Sequence, residues 1–222
     1  FVAEGLPLNT FLMPKYAGVD KTNGLPMWYK DILDANGQVI GTTMTSEYSE
    51  ATEYLCDDPT PDLYGGFGTS FSFYNFDISA AFTYSIGGLT YDSGYASYMS
   101  PPGGSVGSNF HKDVLKAWSP ENKNSDIPRF VYNDQNINAS SDRFLVPASY
   151  LNFQNAQIGY TIPSSVTNRI KVDKMRVYVA CDNIWYCSYR PGLDPRSSFS
   201  GGTNYASNSP VRTITGGINL TF

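Results

Sequence analysis

The residue types that carry most catalytic and metal chemistry are scarce in this sequence of 222 residues. His111 is the only histidine, and its place on a predicted loop helix favours a solvated surface residue over a general base. Asp57, Asp58 and Asp62 form an acidic cluster that could hold Ca²⁺. Two prolines interrupt this cluster and it lacks EF-hand spacing, so a solvated acidic loop is the better interpretation. The sequence therefore predicts neither an enzyme nor a metal or cofactor site.

Three cysteines, Cys56, Cys181 and Cys187, lack the spacing of a metal site, and their odd number leaves at least one without a partner in the chain. Cys181 falls on the apolar side of a predicted strand, where it would serve as a small hydrophobic residue. A disulfide between Cys56 and Cys187 would require their two loops to meet. Unpaired thiols are the favoured interpretation.

Binding is the chemistry that the long Gly- and Ser-rich connections offer. Aromatic rings stack on sugars or pack on peptide side chains, and a neighbouring arginine adds hydrogen-bond donors. The candidate contact residues for a substrate or partner are Trp118, Tyr189, Arg190 and Tyr205. The alternative is an aromatic girdle at a membrane surface. We favour the girdle for Trp185 and Tyr186, which end a predicted strand, whereas both interpretations stay open for Tyr189 and Arg190.

These candidates need a scaffold, and the composition favours one with little charge. Aromatic residues make up 15% of the chain and charged residues only 16%, which is below the about 25% typical of soluble domains. The net charge of −5 argues against a nucleic-acid partner. No apolar run reaches the ~18 residues of a membrane-spanning helix. No signal peptide is visible after Phe1, so we expect either a cleaved leader or an amino-terminal segment outside this chain.

Alternating patterns predict an all-β fold. Leu63–Tyr74 and Phe76–Ile86 each place large apolar side chains on one face and small polar ones on the other, with a minimal turn at Asn75. The last segment, Pro210–Phe222, has the same pattern. Strands in lipid keep apolar residues outward, whereas a soluble sheet carries charges there, so we predict transmembrane strands with a soluble sandwich as the alternative. The side chains expected to face lipid are Phe67, Phe71, Phe73, Ile78, Phe82, Ile86, Val177, Val179, Ile218 and Leu220.

The first half of the chain is assigned from turn signals and apolar spacing. An Asn-Gly turn predicts a hairpin between Leu6–Gly18 and Leu25–Leu33. The polar residues Asp34–Pro61 are predicted to form a long loop. A second long connection, Leu89–Pro147, contains a predicted short helix at Asn109–Trp118 that is capped by its first residue.

Two further strands contain phase changes. In Ser149–Ile162 the apolar face switches near Asn155, which predicts a β-bulge, and in Asp173–Tyr186 it switches at Ile184. A Gly- and Ser-rich loop, Cys187–Ser209, precedes the last strand. Connections thus alternate short and long, as in an up-and-down barrel with short periplasmic turns and long outer loops. This alternation places the end of the chain on the periplasmic side.

Several distinctive stretches follow one another in a fixed order. They are YAGVD at Tyr16–Asp20, YGGFGTSFSFYNFDISAAFTYSIGG at Tyr64–Gly88, HKDVLKAWSPEN with DIPR at His111–Arg129, SDRFLVPASYLNFQNAQIGYTIP at Ser141–Pro163, MRVYVACDNIW at Met175–Trp185, GLDP at Gly192–Pro195 and GGINLTF at Gly216–Phe222. Their order and spacing resemble the carboxy-terminal part of a SusC-like TonB-dependent transporter from the outer membrane of Bacteroidetes. The resemblance covers nearly the whole chain.

The resemblance implies that the chain belongs to a larger receptor. Complete members of the family resemble a barrel of about 22 strands with an amino-terminal plug. This chain would supply about seven carboxy-terminal strands of such a barrel, with long extracellular loops of which one carries the short helix. Residues 1–222 would then form one domain, a transmembrane antiparallel β-barrel segment. The plug and the amino-terminal strands are expected outside this chain.

The activity implied by the resemblance is active import across the outer membrane, with oligosaccharides as the usual cargo and peptides as the alternative. The implied partners are a SusD-like surface lipoprotein, the remaining amino-terminal part of the transporter, TonB acting through that part, the barrel-assembly machinery and outer-membrane lipid. We expect the helix at Asn109–Trp118 to lie outside the cell, against the lipoprotein or a neighbouring loop. The competing interpretation is a secreted all-β glycan-binding module whose aromatic residues form a sugar site.

The final residue, Phe222, resembles the aromatic end by which the barrel-assembly machinery recognises outer-membrane strands. An edge strand has unpaired N–H and C=O groups that can pair with another strand. We therefore expect Arg212–Phe222 to pair on one side with Met175–Trp185 and on the other side with a strand outside this chain.

Overall fold

The computed structural model describes residues 1–100, 109–132, 134, 136–197, 202 and 210–222. The strands are β1 (Leu12–Pro14), β2 (Tyr16–Val19), β3 (Pro26–Leu33), β4 (Val39–Thr45), β5 (Glu53–Leu55), β6 (Leu63–Phe73), β7 (Phe76–Ile86), β8 (Leu89–Tyr91), β9 (Leu145–Pro147), β10 (Tyr150–Ile162), β11 (Lys174–Ser188) and β12 (Thr213–Thr221). The helices are α1 (Ser93–Tyr98) and α2 (Ser164–Thr167), with short 3₁₀ helices at Tyr48–Glu50, Lys112–Lys116, Asp142–Phe144, Asn168–Ile170 and Pro195–Ser197.

The chain separates into two compact units. The first consists mainly of Phe1–Thr60 and Leu89–Val146, and the second of Pro61–Gly88, Pro147–Ser197 and the described part of Ser207–Phe222. Trp28 and Phe144, each 1% exposed, lie in the core of the first unit. In the part of the chain that the structure describes, the helices are too short or too polar to cross a bilayer.

Five long strands form the antiparallel sheet of the second unit, in the order β12-β11-β10-β7-β6. β6 and β7 pair along their whole length, and Tyr74 and Asn75 form the two-residue turn between them. Tyr74 adopts a φ of 52° there. Alternating aromatic and small residues favour this pairing because the large side chains pack across the pleated surface. The hairpin predicted with its turn at Asn75 is confirmed.

Both predicted phase changes are irregularities in the strand register. The register of β10 shifts between Phe153 and Asn155 against both of its neighbours. In β11 the opposing irregularity includes Asn183, which has a φ of 51° and precedes the predicted position, Ile184. The extra residue in β10 returns the apolar side chains to one face, so that Phe153 lies opposite Phe82.

One face of this sheet is continuous and apolar. Phe67, Phe82 and Phe153 stack across β6, β7 and β10, with ring centroids 5.0 and 4.4 Å apart. All of the residues predicted to face lipid share this face by register, and all except Phe82 are exposed. Contact of this face with lipid stays a prediction.

The connections of the sheet separate by length. The turn between β6 and β7 and the connection 163–173 between β10 and β11 lie at one end, where β12 also finishes. The connections 87–149 and 189–212 leave from the other end. The predicted alternation is therefore confirmed for these five strands. Which end faces the periplasm stays a prediction.

The sheet is open, because within the described residues β6 and β12 each have one paired neighbour. β12 pairs with β11 from Thr213 opposite Asp182 to Thr221 opposite Lys174, as predicted for one side of the last strand. A partner for its other side stays a prediction. The expectation of about seven strands in one sheet is wrong, since the amino-terminal strands pair in separate small sheets.

The amino-terminal strands belong to the first unit. β2 and β3 form the predicted hairpin, which the Asp20 N–H closes by donating to the Leu25 carbonyl oxygen at 2.9 Å. Of the predicted run Leu6–Gly18, only the part from Tyr16 onward belongs to this hairpin, because the chain changes partner after Pro14 and β1 pairs with β5. Proline has no N–H to donate, and it commonly marks such interruptions in strand pairing.

The predicted loop Asp34–Pro61 contains a second hairpin, in which β4 pairs with β3. Asp34 Oδ1 accepts hydrogen bonds from the N–H groups of Asn36 and Gln38, both at 2.8 Å, and Gly37 adopts a φ of 79°. The turn signal thus marks a hairpin instead of the start of a loop. The β-branched residues of β4 suit the extended conformation.

The helix predicted at Asn109–Trp118 is shorter and of a different type. A 3₁₀ helix covers Lys112–Lys116, and His111 caps it by accepting a hydrogen bond from the Asp113 N–H at 3.2 Å. A 3₁₀ helix has three residues per turn, so it does not align Phe110, Val114 and Trp118, which would share an apolar face in an α-helix over Asn109–Trp118. Leu115 of this turn is 90% exposed. The same connection contains α1, which the spacing of apolar residues did not indicate.

Candidate functional site

The polar face of the five-stranded sheet carries an ion pair near the turns. Arg176 on β11 reaches across β10 to Asp77 on β7, with Nε donating to Asp77 Oδ1 at 2.9 Å and Nη2 donating to Oδ2. β10 presents Gly159 at the crossing, where any Cβ would overlap the guanidinium. The missing side chain therefore allows a two-pronged bond that joins β11 to β7 across β10.

A second glycine on this face lies beneath an aromatic ring. A Cβ at Gly217 would come within 2.6 Å of Tyr178 Cζ, so the ring lies directly over the β12 backbone. The Arg176 guanidinium lies 5.2 Å from the centre of the same ring. Asp77, Gly159, Tyr178 and Gly217 are consecutive cross-strand partners, so large and small residues alternate along this row. The Arg176 and Tyr178 side chains therefore lie over the glycine backbone of the polar face near the turns.

Replacing Gly159 by alanine is expected to separate Arg176 from Asp77, because the new methyl group would occupy the position of the guanidinium. Gly216→Ala is the matched control, since a Cβ there meets its nearest atom, the Tyr178 carbonyl oxygen, only at 4.0 Å. In urea unfolding of the full receptor in vesicles, we expect Gly159→Ala alone to lower the midpoint. Asp77→Asn should lower the urea midpoint of the wild-type receptor but leave that of the Gly159→Ala variant unchanged, because the ion pair is already broken there. If Asp77→Asn lowers both midpoints equally, Gly159 does not make room for the pair.

A cleft lies at the other end of the sheet, where β11 runs into the next connection. Its volume is about 440 Å³, and it is lined by Tyr186, Cys187, Ser188, Arg190, Pro191 and Gly192. The Ser188 hydroxyl lies 3.1 Å from the Arg190 carbonyl oxygen and 2.7 Å from the Leu193 carbonyl oxygen, to which it can donate. Gly192 has a φ of 88°, which suits glycine at this turn. These features fold the connection back on the end of the strand.

The predicted contact residues fall in different places. Arg190 lines the cleft, whereas Tyr189, which is 60% exposed, is not among the lining residues. Trp118 belongs to the first unit, where its Nε1 donates to a backbone carbonyl of the turn between β2 and β3 and its ring covers Gly24. That packing favours a structural role for Trp118. Tyr205 lies outside the described residues, and contact of any of the four with cargo stays a prediction.

His111 has defined neighbours instead of a purely solvated position. Its ring meets the Tyr95 ring edge-on with centroids 4.8 Å apart, and its side chain is 30% exposed. Asp113 beside it binds Lys116 Nζ at 3.0 Å. The hydrogen bond from Lys116 outweighs burial and holds the pKa of the Asp113 carboxyl below its usual value. These contacts shape the loop.

In the part of the chain that the structure describes, the side chains that could bind a metal ion do not cluster, and the cysteines are not bonded to each other. No group of three or more His, Cys, Asp or Glu side chains there could hold a metal ion. Cys56, Cys181 and Cys187 are free thiols. Asp58 Oδ1 accepts from the Thr60 N–H at 2.7 Å, so this member of the acidic cluster supports a turn.

The Asp77–Arg176 pair is the feature of the polar face that sequence reasoning missed. The available signal was the presence of charged residues, Asp77, Arg176 and Asp182, on a strand face whose other residues are mostly small or polar. Strand order was needed to use that signal, because Asp77 and Arg176 are separated by 99 positions in the chain.

No protein-family model matches the chain. The TonB-dependent receptor P3 of Formosa agariphila is 30% identical over 233 residues, which cover 99% of this chain. TonB-dependent receptor P26 of the same organism is 26% identical over 242 residues, covering 100% of this chain. We identify the chain as a segment of a TonB-dependent receptor.

Solved structures resemble this receptor segment in fold as well as in sequence. The structure of the RagAB peptide transporter matches it with a TM-score of 0.78 and 30% identity, over 97% of this chain and 23% of that one. The RagAB peptide importer in its open-open state gives a TM-score of 0.76 and 28% identity, over 96% of this chain and 22% of that one. The segment spans only 22% of P3 and 23% of P26, so it represents less than a quarter of these relatives.

Proposed function

We propose that this chain forms part of the barrel of a TonB-dependent outer-membrane receptor that imports an oligomeric nutrient. The observation that carries the proposal is the five-stranded sheet, which has a continuous exposed apolar face and an opposite polar face. Lipid would solvate the first face and a water-filled lumen the second. Similarity to TonB-dependent receptors along the whole chain supports the same conclusion.

In this proposal residues 1–222 are the carboxy-terminal part of the barrel, and the rest of the receptor supplies the plug and the other strands. The short turns and Phe222 face the periplasm, and the connections 87–149 and 189–212 lie outside the cell. TonB energises import through the amino-terminal part. A SusD-like surface lipoprotein caps the outer side, and its copurification with the tagged receptor from detergent extracts tests that partnership.

Two classes of cargo are candidates. Oligosaccharides, the class implied by the sequence resemblance, would stack on exposed aromatic rings such as that of Tyr189. Peptides are favoured by the similarity to RagAB, whose structures are described as those of a peptide transporter. Arg190 at the cleft suits either class, because a guanidinium can bind sugar hydroxyls or a peptide carboxylate.

Binding to the purified full receptor separates these cargo classes. The probes are a fluorescent casein digest for peptides and a fluorescent partial hydrolysate of starch and pectin for oligosaccharides. We expect one probe to bind, and replacement of both Tyr189 and Arg190 by alanine to weaken it on the order of tenfold. Tyr74→Ala, at the opposite end of the sheet, is the matched control. Binding of neither probe, or equal loss in both variants, would overturn this assignment.

A secreted glycan-binding module remains the competing function. It would need the apolar face of the sheet to be covered by protein or to tolerate water, and most residues on that face are exposed. Cell fractionation decides between the two. We expect the receptor to require detergent for extraction from the outer membrane, whereas recovery in an aqueous extract would support the secreted module.

A further inference from the structure

The connection that follows β11 is anchored to the sheet by a polar cluster around Arg196. Arg196 Nε donates to Asp194 Oδ1 at 2.8 Å, and Nη2 donates to Asp194 Oδ2 at 2.7 Å. Arg196 Nη1 donates to Asn152 Oδ1 at 2.8 Å, and Asn152 Nδ2 donates to Thr83 Oγ1 at 3.3 Å. The guanidinium carbon lies 4.3 Å from the centre of the Tyr186 ring. One side chain thus links the connection to β10 and β11, and through Asn152 to β7.

This cluster is largely removed from water. The side chains of Arg196 and Asp194 keep 14% and 11% of their exposure, and Asn152 is buried. Burial alone would raise the pKa of Asp194, but the hydrogen bonds and charge of Arg196 hold that pKa below its usual value. Removing one partner of such a pair leaves the other charge buried without compensation. The positions of Arg196 and Asp194 relative to each other are therefore strongly constrained.

The Arg196 cluster and the cleft share structural parts. Tyr186 lines the cleft, and the Arg196 guanidinium lies over its ring. Ser188 anchors the beginning of the connection through its hydroxyl, and Leu193 in the middle is buried. Arg196 anchors the end. Loss of Arg196 would therefore remove the anchor at the end of the connection.

We propose that Arg196 is a positioning residue for this cleft: it holds the connection from Ser188 to Arg196 so that Arg190 and Tyr186 line one space. The entry of cargo into the cleft rests on the proposed function, whereas the clamp itself does not. Lysine would keep the charge at this position but lose the planar fork that binds Asp194 and Asn152 together. Arg196→Lys and Arg196→Ala therefore both remove the clamp, and the lysine variant is the milder of the two.

Cys187 provides a direct readout, because its thiol is free and it lines the cleft. The experiment uses the full receptor in detergent, with Cys56 and Cys181 replaced by alanine, and follows the rate at which Cys187 reacts with a small maleimide. Cys187 is already exposed, so the effect should be modest: we expect Arg196→Ala and Arg196→Lys to raise that rate about twofold, because loss of the clamp loosens the connection that lines the cleft beside the thiol. Arg169→Ala is the matched control, since this exposed arginine lies in the short connection at the other end of the sheet.

The outcomes separate positioning from simple stabilisation. A lower unfolding midpoint with an unchanged labelling rate in both Arg196 variants would mean that Arg196 only stabilises the sheet, and it would overturn the proposal. Protection of Cys187 by the casein digest or the oligosaccharide pool tests cargo entry independently. Faster labelling of the Arg196 variants without protection by either probe would support positioning and count against the proposed cargo site. Protection with normal labelling in the Arg196 variants would support the cargo site and refute positioning.

Discussion

Val179→Arg is expected to lower the free energy of unfolding of the full receptor in phospholipid vesicles by about 2–4 kcal/mol. Val179 lies on the apolar face of the sheet, opposite Ile158 on β10 and Gly216 on β12, and it is 49% exposed. Its cross-strand neighbours offer a guanidinium no hydrogen-bond partner. In hydrocarbon the charged group would lose its hydration, and the loss is largest near the middle of the bilayer.

Ala180→Arg is the matched control for this experiment. Ala180 is the next residue of the same strand, and it lies on the polar face opposite Gln157 and Thr215. An arginine there would reach a wet lumen, so we expect a change of only about 0.5 kcal/mol. Urea unfolding followed by tryptophan emission measures both variants. If Val179→Arg is tolerated as well as Ala180→Arg, the apolar face does not contact lipid.

Deleting Phe222 is expected to reduce the amount of assembled receptor in the outer membrane severalfold. Phe222 follows β12, whose second edge has no partner among the described residues, and its side chain is 86% exposed. Such an edge offers N–H and C=O groups for pairing with an assembly partner, while the ring can enter a pocket. Cargo affinity of the molecules that do assemble should not change, because the cleft lies at the opposite end of the sheet.

Phe222→Trp is the control for the assembly experiment, because it keeps an aromatic ring at the same position. We expect Phe222→Ala to behave like the deletion and Phe222→Trp to assemble at close to the normal level. Heat-modifiable migration of the receptor in outer-membrane fractions measures the assembled amount. Normal assembly of the alanine variant would rule out a role for the ring as an assembly signal.

Hairpins and bulges inside the long strands could be predicted because their causes are local. The alternation in Leu63–Phe73 and Phe76–Ile86 indicates both strands and their faces, and Asn75 indicates the turn. The phase change near Asn155 likewise shows where an extra residue enters β10. Each of these features depends on residues a few positions apart, which the order of side chains records directly.

Which strands pair with each other could not be predicted from the sequence in the amino-terminal region. Leu6–Gly18 and Leu25–Leu33 have apolar spacing similar to that of a barrel strand, yet they contribute to small sheets of the first unit. Short runs with prolines fit several pairings, so periodicity alone does not select among them. The helix predicted at Asn109–Trp118 is longer than the 3₁₀ helix observed at Lys112–Lys116, because capping and apolar spacing do not determine helix length or type.

The polar clusters depended most on tertiary structure. Asp77, Gly159 and Arg176 meet only because β7, β10 and β11 are neighbours in that order, and Arg196 reaches Asn152 only through the fold of the connection after β11. The sequence by itself determined the two faces of each long strand and the positions of their turns and bulges, since these follow from the two-residue period of extended chain. Only the tertiary structure decided which strands pair and which charges meet, because strand pairing and ion pairs join groups that are distant in sequence.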